Sequence, residues 1–179
     1  IRKIGHAGTL DPFATGLLIV AVSRQATKMI SDYSKMDKTY EAEFVLGATS
    51  ETLDPDADIV RSDKVIELSS DQVREGIEML TGDILQVPPM YSAIKIKGKK
   101  LYELARKGEV VEREPRPVIV HSFELLGDPV FMDGLTTIRI RTRVSSGTYI
   151  RVLAQDLAAA VGTVAYVKSL RRTSIDKFA

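Results

Sequence analysis

Residues 136–162 read TTIRIRTRVSSGTYIRVLAQDLAAAVG, and two different periodicities meet inside that stretch. From Thr136 to Val144 the side chains alternate, with Arg139, Arg141 and Arg143 on one face and Ile138, Ile140 and Val144 on the other. That is a strand with one face in a core. From Arg151 to Val161 the period becomes helical, Leu153 and Leu157 face inward, and Gly162 ends the helix.

The same signals recur on either side. Thr39 to Leu46 alternates, placing Tyr40, Ala42, Phe44 and Leu46 on one face and Glu41 and Glu43 on the other, and Val118 to Leu126 reads as a further strand. Ser69 with Gln72 three residues on has the form of a capping box, and Val73, Ile77 and Leu80 form one helical stripe before Gly82. Pro88 and Pro89 force an extended segment into Tyr91 to Lys95, and Leu101 to Lys107 makes a short helix stopped by Gly108. Gly16 to Val22 reads as an internal strand, buried along Leu17 to Val22, and Arg24 to Tyr33 as a short helix. Strands and helices mix without strict alternation. The expected fold class is therefore α+β, one domain over residues 1–179 around a largely antiparallel sheet.

Composition sets limits on chemistry. The 179 residues suffice for one domain with a sizeable core. With 44% hydrophobic and 27% charged residues, the chain has the make-up of an ordinary globular protein. No apolar run is long enough to span a bilayer, so no membrane partner is expected. There are no cysteines, which excludes disulfides, thiolate metal sites and cysteine nucleophiles, and weakly favours an intracellular setting. His6 and His121 lack a ligand spacing, so no metal is expected. A net charge of +1 means that any nucleic-acid surface must be local. The chain starts at Ile1 rather than a methionine and reads as truncated.

Three clusters carry potential chemistry. Residues 5–16, GHAGTLDPFATG, put three glycines, a histidine, a carboxylate and a proline in twelve positions, as a rigid loop presenting Asp11 would require. Asp11-Pro12 also suits a simple turn or cap, and Leu53-Asp54-Pro55 repeats the tripeptide in an acidic loop where nothing suggests chemistry. Residues 144–151, VSSGTYIR, join a strand to a helix, and Arg151 there implies a carboxylate or phosphate partner, with a solvated arginine as the plain alternative. From Pro88 to Lys107 the chain interleaves Tyr91 and Tyr102 with Lys95, Lys97, Lys99, Lys100, Arg106 and Lys107, as backbone contact with a nucleic acid needs. Arg139, Arg141 and Arg143 form a second positive stripe and Arg171-Arg172 a third, although a solvated face is the default for such runs.

In this order the clusters resemble the TruB family of pseudouridine synthases: GHAGTLDPFATGLL, then Asp37-Lys38-Thr39-Tyr40, then PPMYSAIKIKGKKLYELARKG, then SSGTYIRVLAQDLA, with similarity running through Ser169-Leu170-Arg171-Arg172. The resemblance implies the pseudouridine synthase fold, a central mixed and mostly antiparallel sheet with flanking helices and a cleft across it. It implies isomerisation of a uridine in the T-loop of tRNA, on a base flipped out of the loop. By the same resemblance, Asp11 is the catalytic aspartate, Tyr40 stacks on the target base, Arg151 pairs with the aspartate, and His6 fills the space that the base leaves. Leu170 walls the pocket, and Tyr149 and Lys95 sit near it, with Lys99 and Lys100 set to meet the RNA backbone. No cofactor is needed, since the reaction is neither redox nor hydrolytic. The expected partner is the tRNA T-arm stem-loop, met by a monomer in a bacterial cytoplasm or an organelle. Phe13-Ala14 and the MYSAIK block look closer to bacterial and organellar tRNA enzymes than to guide-RNA-dependent relatives. The family's N-terminal block and C-terminal RNA-binding extension have no counterpart in these residues. An inactive RNA-binding fragment and a hydrolase releasing uracil are the competing readings.

Overall fold

Alternation along residues 38–46 and 135–144 builds the centre of the molecule, seen in a computed structural model that describes residues 3–96 and 98–179. In chain order the elements are β1 (Ile4–His6), β2 (Thr15–Gly16), β3 (Val20–Val22), α1 (Arg24–Lys28), α2 (Ile30–Ser34), β4 (Lys38–Leu46), β5 (Ala48–Thr49) and β6 (Val60–Arg61). They continue with α3 (Ser70–Met79), β7 (Gly82–Gln86), β8 (Lys95–Ile96), β9 (Lys99–Lys100), α4 (Leu101–Ala105) and β10 (Arg116–Leu125). The last are β11 (Val130–Met132), β12 (Leu135–Val144), α5 (Ile150–Ala160) and β13 (Ala165–Ile175).

The main sheet runs β2-β13-β4-β12-β10-β7, with β11 hairpinned onto β12. Its pairs are antiparallel apart from the short parallel contact of β2 with β13. The α+β expectation therefore holds. Helices α3 and α5 cover one face, where Phe44, Ile138, Ile140, Val167, Leu153 and Leu157 close the core. The Ser69 capping box forms in full and sets the start of α3. The opposite face of β4 and β12 carries charge in register, Glu41 opposite Arg141 and Glu43 opposite Arg139.

One reading of the sequence needs correction, and one strand was not read at all. Gly16 to Val22 is not one buried strand: among the described residues β2 pairs only with β13 and β3 only with β1, and Val20 and Val22 are half exposed. A short continuous apolar run is consistent with a buried strand but does not by itself establish one. The unread strand is β13, whose eleven residues pair along the whole of β4 yet show no clean alternation. Register shifts between Val167 and Ser169 and between Arg172 and Ser174 break its period of two. One buried position within it is Arg172 rather than an apolar residue.

Gly16 marks where the chain passes tightest. It sits at φ +102°, and a Cβ there would lie 2.2 Å from the carbonyl oxygen of Arg172. Gly16→Ala is expected to cost about 2–3 kcal/mol, seen in a thermal melt as a Tm roughly 5–10 °C lower. An unchanged Tm would mean that the Gly16–Arg172 approach is not needed for the fold.

Candidate active site

Arg172, buried on β13, organises the loop that carries Asp11. Its Nε donates to the carbonyl of Leu17 at 2.7 Å and one Nη to the carbonyl of Gly8 at 3.2 Å, so one guanidinium holds both ends of the loop. The amide of Leu17 returns a bond to the Arg172 carbonyl at 2.8 Å, and Ala14 N–H closes a turn onto the Asp11 carbonyl at 2.9 Å. The arginine read from sequence as part of a surface stripe is thus only 1% exposed, while Arg171 beside it points to solvent.

Arg151 arrives from the first turn of α5. It is 3% exposed and meets Asp11 side-on, with Nε to Oδ2 at 2.9 Å and Nη2 to Oδ1 at 3.1 Å. The open choice between carboxylate and phosphate partner resolves in this structure as the Asp11 carboxylate, in the bidentate form that a planar guanidinium favours. The remaining donors reach two other loops: Nη1 to the Thr52 carbonyl at 2.6 Å and to Asp54 Oδ2 at 3.2 Å, and Nη2 to the Tyr91 carbonyl at 2.8 Å. One side chain therefore ties the 11, 52–54 and 91 segments to the helix.

Asp54 is the residue that reading from sequence missed. It belongs to the second Leu-Asp-Pro tripeptide, where nothing suggested chemistry, yet it is buried against Arg151. Thr52 Oγ1 donates to its Oδ1 at 2.6 Å and the Asp56 amide at 3.0 Å, while Ser50 Oγ holds its backbone. The hydroxyl residues two and four positions before Asp54 are the one local signal that this aspartate is fixed in a turn.

These groups line a cavity of about 730 Å³ whose walls include Asp11, Tyr40, Tyr91, Tyr149 and Leu170. Burial raises the Asp11 pKa above its ordinary value, Arg151 opposes that, and Asp54 and Asp56 add to it. Burial also raises Tyr40 and Tyr149. Lys38 lines the cavity too, and its pKa is lowered by burial and by Arg172.

Of the residues singled out from sequence, Asp11, Arg151, Tyr40, Tyr149 and Leu170 converge on this cavity. His6 is exposed on β1 outside its lining, and Lys95 and Lys99 are exposed on the β8–β9 hairpin. Lys100 lies 5.3 Å from the ring centroid of Tyr102, which does line it; Lys97 is outside the described residues. The Arg139 to Arg143 stripe is on the sheet face opposite Tyr40, with Arg141 bonded to Glu41 at 2.7 Å and Arg143 to Asp37 at 3.0 Å. Two of its three arginines are thus ion-paired on an outer face, away from the cavity. Among the described residues no cluster of three or more histidines or carboxylates is arranged to hold a metal ion, and no helix is long and apolar enough to cross a membrane.

Residues 1–150 match the profile described as the TruB family pseudouridylate synthase (N terminal domain). The chain is 45% identical over 178 residues to a protein named tRNA pseudouridine synthase B from Endomicrobium trichonymphae, covering 99% of this chain and 75% of that one. A protein of the same name from Streptococcus sanguinis is 42% identical over 173 residues, with 96% of this chain matching 59% of its length. Among solved structures, a chain of a Cbf5-Nop10-Gar1 complex superposes with a TM-score of 0.68 at 28% identity, over 97% of this chain and 40% of that chain.

Proposed function

Because the chain belongs to the TruB family of pseudouridylate synthases, we propose that it isomerises a uridine of tRNA to pseudouridine, with residues 1–179 as the catalytic domain and the T-loop as the target. The observation that carries this reading is the bidentate Asp11–Arg151 pair in the wall of a cavity that also presents Tyr40 and Leu170.

The reaction breaks the bond from ribose C1′ to uracil N1 and forms one from C1′ to C5. The proton of C5 is lost and N1 gains one, so the balance needs no oxidant and no water. A base stacked inside a folded loop is out of reach of Asp11, so the nucleotide must be extruded into the cavity. Tyr40 supplies a face on which a uracil can stack and Leu170 an apolar wall. Asp11 is the carboxylate that acts at the sugar–base bond. Arg151 keeps it charged against burial and against Asp54 and Asp56, and fixes its orientation. His6, Tyr149, Lys95, Lys99 and Lys100 are assigned to substrate contact around this centre. The reading needs no metal or cofactor, and takes the working unit as a monomer acting in a bacterial cytoplasm or an organelle.

A T-arm stem-loop bearing tritium at C5 of the target uridine tests the reading directly. Tritium release with pseudouridine in the nuclease digest is expected. Retarded RNA without release would leave only an RNA-binding module, and free uracil would make the chain a hydrolase.

RNA affinity is expected to depend steeply on salt through the β8–β9 hairpin. Replacing Lys99 and Lys100 with alanine should flatten the double-logarithmic slope by roughly 0.7–0.9 for each phosphate that is no longer neutralised. Arg141→Ala, on the outer face, should leave the slope unchanged. The reverse pattern would move the RNA to the other side of the sheet.

A further inference from the structure

The cavity is charged in two halves. Asp11 and Asp54 share Arg151, whereas Lys38 and Arg172 face the same space with no carboxylate within salt-bridge distance among the described residues. Both are more than nine-tenths buried. They are held by neutral groups instead: Lys38 Nζ donates to the Ser34 carbonyl at 2.9 Å and the Met36 carbonyl at 2.5 Å, and Arg172 donates to Leu17 and Gly8. The carboxylate next in sequence, Asp37, is engaged elsewhere, with Arg143 and His121 each at 3.0 Å.

The two cations flank one residue. A Cβ placed on Gly8 would lie 3.6 Å from Arg172 Nη1 and 3.6 Å from Lys38 Cε, so both side chains converge where Gly8 leaves room. Like charges brought together out of water are costly unless an anion joins them. Each retains a donor for one. A lysine ammonium has three N–H bonds and an arginine five, and the protein carbonyls account for two of each. Gly8 is three residues before Asp11, a reach of at most about 10 Å. A nucleotide whose sugar–base bond lies at Asp11 carries its nearest anions, the phosphates on its two sides, within that range.

We propose that Lys38 and Arg172, converging beside Gly8, form a subsite for one of the two phosphodiesters flanking the extruded uridine. The inference rests on the uridine-isomerase reading of the cavity and adds to it the group that recognises the backbone. A uracil carbonyl is neutral and brings no charge to the two buried cations; a phosphodiester brings one negative charge that both can share. Arg172 then has two roles, since the guanidinium that holds the Asp11 loop also meets the substrate. Backbone binding and placement of the carboxylate are thereby joined in one side chain.

The test uses T-arm stem-loops in which a methylphosphonate, of phosphate shape but uncharged, replaces one phosphodiester at a time: each flanking position and a control position in the stem. Wild-type protein should bind one flanking analogue about tenfold or more weakly relative to the stem control. Lys38→Met should lose a similar factor on unmodified RNA and show little further loss on that analogue, while Lys38→Arg should keep the wild-type pattern. If wild-type protein treats both flanking analogues like the stem control, the subsite is overturned whether or not any variant folds. Equal and additive losses in wild type and Lys38→Met overturn it as well. Isomerisation of unmodified stem-loop by the same preparation separates the outcomes. A protein that isomerises but ignores the flanking charges loses only this proposal, and one that does not isomerise loses the uridine reading and this proposal with it.

Discussion

Asp11→Asn is expected to abolish pseudouridine formation, by roughly 10²–10⁴-fold or more in single-turnover rate, while changing affinity for a T-arm stem-loop little. The substitution keeps the volume and removes the negative charge, so Tyr40, Leu170 and the lysines of the hairpin can still hold the RNA. It should not destabilise the fold either. The Asp11 pKa is raised in the folded protein, chiefly by burial with Asp54 and Asp56 adding, so its charge opposes folding. For a carboxylate with a raised folded pKa, stability is greatest below the unfolded value and falls as pH rises through the folded one. Neutralising the group at pH 7 should therefore hold or raise Tm. The same shift places the acid limb of the wild-type rate profile above the ordinary aspartate range. A variant that melts lower and also binds RNA poorly would show that Asp11 is chiefly a structural anion, and wild-type turnover would remove it from the mechanism.

How much of this was legible in the sequence depends on the kind of signal each residue leaves. Strands β4 and β12 alternate because one face is core and the other solvent, and the Ser69 box marks α3, so both could be read locally. Strand β13 could not, because two irregularities shift its phase and an arginine occupies a core-facing position. Within the site, Asp11 was singled out by its glycine-rich loop and Arg151 by its place at a strand–helix junction, although a plain turn and a solvated arginine stayed open until the family resemblance chose between them. Asp54 was not, since an aspartate before a proline in an acidic loop looks the same whether it caps a turn or neutralises a buried arginine 97 positions away. The opposite error fell on the arginines. Arg141 and Arg143 looked like part of a free cationic row until Glu41 on β4 and Asp37 just before it met them, and Arg172 looked exposed until the chain folded its loop over it. Charge is read from sequence by residue, but its availability is set by long-range pairing.

Arg151→Lys should cost both catalysis and stability, and the division between them follows from the partners of the guanidinium. It serves both oxygens of Asp11, one oxygen of Asp54 and the carbonyls of Thr52 and Tyr91. An ammonium has at most three N–H bonds and no fixed plane, so some of these acceptors lose their partner. Each buried acceptor left unpaired costs about 1–3 kcal/mol. Because Asp11 is then held at a point rather than along an edge, a displacement of about 1 Å is enough to lower the rate on the order of 10²-fold. The rate at saturating RNA should fall while the dissociation constant changes little. Were Arg151 instead a phosphate ligand in the working complex, binding would weaken and the saturated rate would survive. Arg151→Met sharpens the contrast, since it leaves the buried Asp54 and the half-buried Asp11 without a cation, a loss of about 3–5 kcal/mol. It also removes the charge that lowers the Asp11 pKa, which must then rise further. The stability deficit of the methionine variant should accordingly shrink as pH falls through that raised pKa, because protonation neutralises the carboxylate that lost its partner. Denaturant midpoints for wild type and both variants, measured from pH 7 downward, read this directly. A methionine deficit that stays constant with pH would show that Arg151 acts through packing and carbonyl bonds, with its charge on Asp11 contributing nothing.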